Sequence, residues 1–378
     1  MIPYGHQSID ESDIRAVVEV LKTDWLSQGP KISEFENDLA KYCGSKYAVI
    51  FSSGTAALHA AYFVAGLKAG DEFITTPMTF AATANAGLYL GAKPVFADIG
   101  EDNNLDPKEA VKKITSKTKL ISVVDFAGLP AKLDEFKRIA REHNLVLIED
   151  GCHALGASYK GKKIGSVADM TAFSFHPVKS ITTGEGGAVL TDNKEYYEKM
   201  KVFRHHGIVR DPSKFKERSH GDWYHEMQEL GFNYRITDIQ AALGISQLKR
   251  LDKFIKARKK IAGIYNKALK KFSKKVLLPE DDKDASSSWH IYVIKLRGEL
   301  SDKRQEIFKK LREAGIGVQV HYIPVYLHPY YKSLGYKKGI CPKAELYYET
   351  AISLPIFPDL SLKDQNYVIE NLIKILSQ

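Results

Sequence analysis

Ser174-Phe175-His176-Pro177-Val178-Lys179-Ser180-Ile181-Thr182-Thr183-Gly184-Glu185-Gly186-Gly187 is the stretch from which the fold can be read. It begins at the end of an apolar run, residues 170–175, with the character of a buried strand. It ends in Gly-Glu-Gly-Gly, ahead of a second apolar run, residues 188–190. Between the runs stands one lysine, flanked by Pro177 and by three hydroxyl residues. A lysine held where a strand leaves the core cannot be freely hydrated. Its ammonium form is disfavoured and its amine becomes a nucleophile, as Schiff-base chemistry with a carbonyl requires. Taken alone, the same residues read as a surface lysine in a glycine-rich connection.

A second stretch changes that balance. Leu145-Val146-Leu147-Ile148-Glu149-Asp150-Gly151-Cys152-His153-Ala154 is another buried strand, ending in carboxylates and a histidine. Asp150 precedes Lys179 by 29 residues, room for one strand, a loop and the start of another. Upstream, residues 47–51 run into Ser52-Ser53-Gly54-Thr55-Ala56-Ala57-Leu58. These small residues open a helix whose free N–H groups suit an anion. Alone they read as a glycine-assisted turn with Ser/Thr capping. The three stretches together have the grammar of a pyridoxal-phosphate (PLP) site. The Asp pairs with the pyridinium nitrogen, the Lys forms the imine and the helix N-terminus takes the phosphate. A Walker lysine and a Gly-x-Gly-x-x-Gly pattern are both missing, which disfavours ATP and NAD.

Seven runs have strand character: residues 47–51, 72–75, 94–97, 120–124, 145–148, 170–175 and 188–190. Helical patterns separate the first five, which predicts an α/β fold, a mostly parallel sheet with helices on both faces. Ligands in such sheets bind beyond the carboxyl ends of the strands. Phe80 begins a helix after the second strand, where its ring either stacks on a cofactor or joins the core. Residues 8–11 resemble a capping box ahead of an apolar stripe, Ile14, Val17, Val18 and Leu21. Thr237 or Asp238 caps a later helix, with Asn233 and Arg235 just before it. From about Leu248 the character changes. A long basic helix with a solvated face leads to a polar linker, residues 280–288, and then to strands at 289–296 and 317–324 among helices. The expected division is a large α/β domain, residues 1–247, and a smaller C-terminal α+β domain, residues 248–378.

The length of 378 residues suits two domains. The net charge of +9 gathers in residues 249–275 without any nucleic-acid-reading module, so no nucleic-acid partner is expected. A pull on anionic substrates such as nucleotides is expected instead. No apolar run is long enough to span a bilayer, and the first residues lack the order of a signal peptide. The expected setting is cytoplasmic, with no membrane partner. Cys43, Cys152 and Cys341 lie far apart and suit a reducing compartment. His205 and His206 point apart and lack a completing carboxylate, so no metal is expected.

Seven stretches in order, residues 25–29, 53–57, 77–85, 149–156, 173–187, 231–242 and 320–331, resemble the DegT/StrS family of PLP-dependent nucleotide-sugar aminotransferases. The resemblance covers nearly the whole chain and implies the type I aminotransferase fold, with PLP as cofactor. It implies that Lys179 forms the imine and shuttles a proton, and that Asp150 keeps the pyridinium protonated. It further implies that His153 contacts the phenolic oxygen of the cofactor, that Phe80 stacks on the ring, and that Thr55, Ala56 and Ser174 bind the phosphate. Asn233 matches a phosphate ligand given by the neighbouring subunit, which implies a homodimer with shared sites. Tyr4, Gln28, His321 and Tyr322 lie in segments that border the substrate in the family; the other reading of each is packing between domains.

Residues 124–128 and the pattern through Lys179 look closest to the branch that serves pseudaminic acid biosynthesis. That branch takes an amino group from L-glutamate to C4 of a UDP-4-keto-6-deoxy sugar. Alternatives are amination of another nucleotide keto-sugar, such as a bacillosamine precursor or a 3-amino sugar, and a PLP-binding regulatory protein without turnover. Family members that carry histidine in place of the lysine are dehydratases, and Lys179 argues against that activity.

Overall fold

The computed structural model describes residues 1–280 and 282–377. At its centre lies a seven-stranded sheet. It is built from β1 (Tyr47–Phe51), β2 (Glu72–Thr75), β3 (Lys93–Phe96), β4 (Thr118–Val124), β5 (Val146–Asp150) and the strands Met170–Ser174 and Gly187–Thr191. The order across the sheet is β1, Gly187–Thr191, Met170–Ser174, β5, β4, β2, β3. The five strands from Met170–Ser174 to β3 run parallel, whereas Gly187–Thr191 is antiparallel to both of its neighbours. All seven runs read from the sequence become these strands, within two residues at each end. They were legible because both faces of the sheet are covered, so the strands are continuously apolar.

Helices close both faces. On one side α3 (Gly54–Val64) and α4 (Ala81–Leu88) pack on the sheet. Ala57, Ala60 and Ala61 let α3 lie close, in one core with Val49, Ala172 and Val189. On the other side α2 (Pro30–Cys43) sends Phe35 and Leu39 into a core with Ile50, Phe173 and Phe175. A second, antiparallel sheet joins Val276–Leu277, Tyr292–Leu296 and Ala351–Leu354. Its core holds Tyr265, Tyr292, Ile294, Leu311 and Leu372. The helix Leu251–Leu269 serves both cores: Leu251 and Phe254 enter the first, Ile261, Tyr265 and Leu269 the second. The N-terminal segment is seated by distant residues. Ile2 N donates to Gly315 O (2.9 Å), Gly317 N to Ile2 O (2.7 Å) and Ile356 N to Tyr4 O (3.0 Å). Among the described residues no helix is long and apolar enough to cross a membrane.

Several sequence readings are corrected. The cap of α1 (Glu11–Leu21) is Asp10, boxed with Asp13 rather than Ser8 with Glu11. The apolar stripe of this helix is not packed inward: Ile14, Val18 and Leu21 are exposed, as are Trp25 and Leu26 after the helix. Arg258 does not belong to a solvated basic face. It is fully buried, and its Nη1 donates to His290 O (3.1 Å) and Ile356 O (2.9 Å). The expected linker at 280–288, of which Asp281 lies outside the described residues, contains Ala285–Ser286, paired with Ser158–Tyr159, and the buried Ser287 and Ser288. Residues 317–324 form no strand; only Gln319 bridges to Ser353.

Candidate active site

The loop carrying Lys179 is closed at its base by the antiparallel return of the chain. Phe175 N donates to Gly186 O (2.9 Å), Thr183 N to Phe175 O (3.0 Å) and Lys179 N to His176 O (2.9 Å). These bonds hold a loop that would otherwise be free to move. Lys179 is partly buried, and its Nζ has no hydrogen bond or ion pair among the described residues. Burial pushes its amine down from the ordinary lysine range, partly offset by Cys152 and Asp150 nearby.

Asp150 is the last residue of β5, in register with Val124 on one side and Ala172 on the other. It is 5% exposed. Its Oδ2 accepts from Thr83 Oγ1 (2.5 Å), and Thr83 is paired in turn with Thr79 (2.7 Å). Its Oδ1 accepts from Cys152 N (3.2 Å). Both oxygens are thus oriented by fixed donors from α4 and from the loop after β5. Thr83 was not singled out in the sequence. Its signal was available, a hydroxyl one helical turn after Phe80 at the cleft end of the second strand.

The start of α3 meets Ser174. Ser53 caps the helix, its Oγ accepting from Ala56 N (3.1 Å). A Cβ on Gly54 would lie 2.8 Å from Ser174 Cβ, and a Cβ on Gly187 would lie 2.5 Å from Ser53 O. Only glycine permits this approach, which brings Thr55, Ala56 and Ser174 to one place beside the free N–H groups of a helix start. Such a cradle fits a phosphate.

A third cluster covers the same end of the sheet. His153 Nε2 lies 3.1 Å from the Tyr322 hydroxyl, while its Nδ1 is buried without a partner among the described residues. The His290 ring lies tilted against it, ring centroids 4.3 Å apart. Tyr322 also faces Phe80 (6.4 Å), whose ring is 63% exposed at the N-cap of α4. Tyr4 lies against His321 (5.4 Å), and His321 Nδ1 against Ser353 Oγ (2.8 Å). The structure therefore gathers Tyr4, Phe80, His153, His321 and Tyr322. It does not bring Gln28 or Asn233 into this cluster. Gln28 is exposed in a turn fastened to Asp238 through Gly29 N (2.8 Å) and Lys31 N (2.9 Å). Asn233 is exposed, and its side chain forms no hydrogen bond among the described residues. His290 escaped the sequence reading because a single histidine beside an apolar run carries no periodic signal.

Behind Asp150 lies a pair of fully buried carboxyls, Asp125 and Glu149. Asp125 Oδ1 accepts from Ala131 N (2.9 Å) and Glu149 Oε2 from Thr171 Oγ1 (2.6 Å). Asp125 Oδ2 and Glu149 Oε1 are left without a partner among the described residues, and the two charges would repel each other away from water, so the protonated forms are favoured. Burial pushes Glu149 up to about 7 and Asp125 well above its usual range. A carboxyl raised on folding contributes stability that is complete below its unfolded value near 4.5 and is lost as pH rises through about 7. Glu149→Gln, which keeps the shape of the side chain without titrating, should remove that loss. Calorimetric melting between pH 5 and 8 should show the variant gaining about 3 °C on the wild type as pH rises. Parallel curves would show that Glu149 is not raised on folding.

These residues suit PLP: an amine with no ion pair among the described residues, a carboxylate held by two donors, and a phosphate cradle, all at one end of the central sheet. Comparison with known proteins agrees. Residues 7–373 match the DegT/DnrJ/EryC1/StrS aminotransferase family. A relative from Campylobacter jejuni, UDP-4-amino-4,6-dideoxy-N-acetyl-beta-L-altrosamine transaminase, is 44% identical over 383 residues, covering 100% of this chain and 98% of its own. Among solved structures, Helicobacter pylori PseC, an aminotransferase of pseudaminic acid biosynthesis, superposes with a TM-score of 0.93 at 35% identity, over 100% of this chain and 99% of its own. The PLP form of the putative sugar aminotransferase Spr1654 from Streptococcus pneumoniae gives 0.92 at 31% identity, over 100% and 98%. The chain belongs to the DegT/DnrJ/EryC1/StrS aminotransferase family and is a sugar aminotransferase.

Proposed function

We propose that the chain moves an amino group from L-glutamate to C4 of a UDP-4-keto-6-deoxy-N-acetylhexosamine, giving UDP-4-amino-4,6-dideoxy-N-acetyl-altrosamine for pseudaminic acid synthesis. Pyridoxal phosphate is the cofactor, and it supplies a carbonyl that accepts an amine and a ring that withdraws electrons from it. The observation that carries the reading is Lys179, a partly buried amine without a charge partner, beside an Asp150 whose two oxygens are fixed. The choice of sugar is supported by the names of the Campylobacter and Helicobacter proteins.

Each residue then has a task. Lys179 Nζ tethers the cofactor. The same amine would take the proton from the donor's α-carbon and later deliver one to sugar C4. Asp150 holds the ring-nitrogen proton. Thr55, Ala56 and Ser174 hold the phosphate, Phe80 covers the ring face, and His153 meets the phenolic oxygen. Tyr4, Gln28, His321 and Tyr322 border the nucleotide sugar. The active unit is a cytoplasmic homodimer in which Asn233 reaches the phosphate of the neighbouring site. The exposed apolar residues Ile14, Val18, Leu21, Trp25, Leu26, Leu230 and Phe232 support such pairing.

The first test is an absorbance spectrum of the purified protein with PLP, before and after L-glutamate. A yellow protein that bleaches on adding glutamate supports cofactor and donor together. A protein that stays colourless removes the reading. Product NMR then distinguishes C4 amination from amination at another carbon or of another keto-sugar, and failure to form 2-oxoglutarate would favour a regulatory protein without turnover.

A further inference from the structure

We infer that Tyr322 is a positioning residue that keeps the proton of His153 on Nδ1, so that His153 offers an N–H to the phenolic oxygen of the cofactor. The ligand half of this inference rests on the proposed PLP reading, whereas the tautomer belongs to the chain itself.

His153 is 5% exposed and is held from several sides. His290 lies tilted against it at 4.3 Å, Tyr322 at 6.1 Å and Phe126 at 6.3 Å between ring centroids. Ser288 Oγ donates to His153 O (2.6 Å), His290 N to Ala127 O (3.0 Å) and the buried Arg258 to His290 O (3.1 Å). The ring therefore has little freedom to turn. Lys179, His290 and His321 are the titratable groups that act on it. Burial, with Lys179 and His321 beside it, holds His153 far below the ordinary histidine range, so the ring is neutral and carries one N–H and one lone pair. Burial likewise holds Tyr322 as a neutral phenol.

Counting hydrogen bonds then assigns the proton. If Nε2 donated to Tyr322, the phenol proton and the Nδ1 lone pair would both be left unsatisfied. If Tyr322 donates to Nε2, one group is left, the Nδ1 N–H, and that group suits an acidic ligand oxygen. The sequence does not show this, because His153 and Tyr322 are far apart in the chain and the resemblance places one at the cofactor and the other at the substrate.

Two measurements test it. In cofactor-free protein labelled with [15N]histidine, the His153 signals, identified by their loss in His153→Gln, should show a protonated Nδ1 and an acceptor Nε2. Tyr322→Phe should move them toward the Nε2–H form. In PLP-loaded protein, the pH midpoint of the visible band should rise by about one unit in Tyr322→Phe, because a weaker donor leaves more negative charge on the phenolic oxygen. In a His153→Gln background, whose amide has no tautomer to set, Tyr322→Phe should add nothing. A wild-type proton on Nε2 overturns the inference. So does an unchanged midpoint in Tyr322→Phe, or an equal shift in the His153→Gln background. A protein that stays colourless with PLP would overturn the cofactor reading instead, and the cofactor-free spectra would still decide the tautomer.

Discussion

Lys179→Ala should bind PLP without a covalent link and lose amino transfer by about 10³-fold or more. The expected loss is large because the proposed function gives one atom, Nζ, the work of both tether and proton carrier. Among the described residues, Lys179 is the lysine whose charge is felt by Cys152, His153 and His321. The fold should survive. Truncation removes an amine whose charged form is disfavoured by burial, so the cofactor-free variant should melt no lower than the wild type. Single-turnover mixing with L-glutamate separates these effects, because it reads the first half of the reaction before any sugar is present. Substantial turnover by a stably folded Lys179→Ala protein would remove the lysine from the mechanism.

Asp150→Asn should lower kcat by about 10²-fold or more while leaving the surroundings in place. Asparagine keeps an acceptor for Cys152 N, and its amide can donate to Thr83, whose hydroxyl can turn to accept. What disappears is the negative charge that, in the proposed reading, keeps the ring nitrogen protonated. The variant thus separates charge from position. Removal of a Thr83 contact alone should cost much less, about 10-fold, since a neutral hydrogen bond to a carboxylate orients the group without supplying its charge. Wild-type turnover in Asp150→Asn would contradict the assigned role, whatever the geometry.

The central sheet was legible because its strands are buried on both faces and so appear as unbroken apolar runs. The site stretches were legible for a related reason: Asp150 and Lys179 stand where such runs stop, and polar residues at strand ends contrast with what precedes them. Elements whose partners lie far along the chain were harder to read. Ala351–Leu354 pairs with Tyr292–Leu296, and nothing in either stretch names the other. Residues 317–324 look like a strand in composition, but His321 is taken by Ser353 and only Gln319 finds a bridge. The stripe on α1 has helical spacing, and spacing alone does not say which side faces protein. Arg258 sits in a run of basic residues. Its burial depends on backbone carbonyls of His290 and Ile356, which composition does not reveal.

The seating of residues 2–4 against Gly315, Gly317 and Ile356 sets a timetable for synthesis. Tyr4 emerges from the ribosome before any other part of the site and waits for Ile356. At about 5–20 residues per second, that wait lasts tens of seconds. The central sheet can assemble meanwhile, since Thr191 completes it. The nascent chain therefore passes through a stage in which lysine, aspartate and phosphate cradle are formed while His290, His321 and Tyr322 have not yet been made. Vitamin capture at that stage would hold the cofactor without its roof, and ribosome-stalled chains of increasing length should gain tight, slow-release PLP binding only after residue 356 has cleared the exit tunnel.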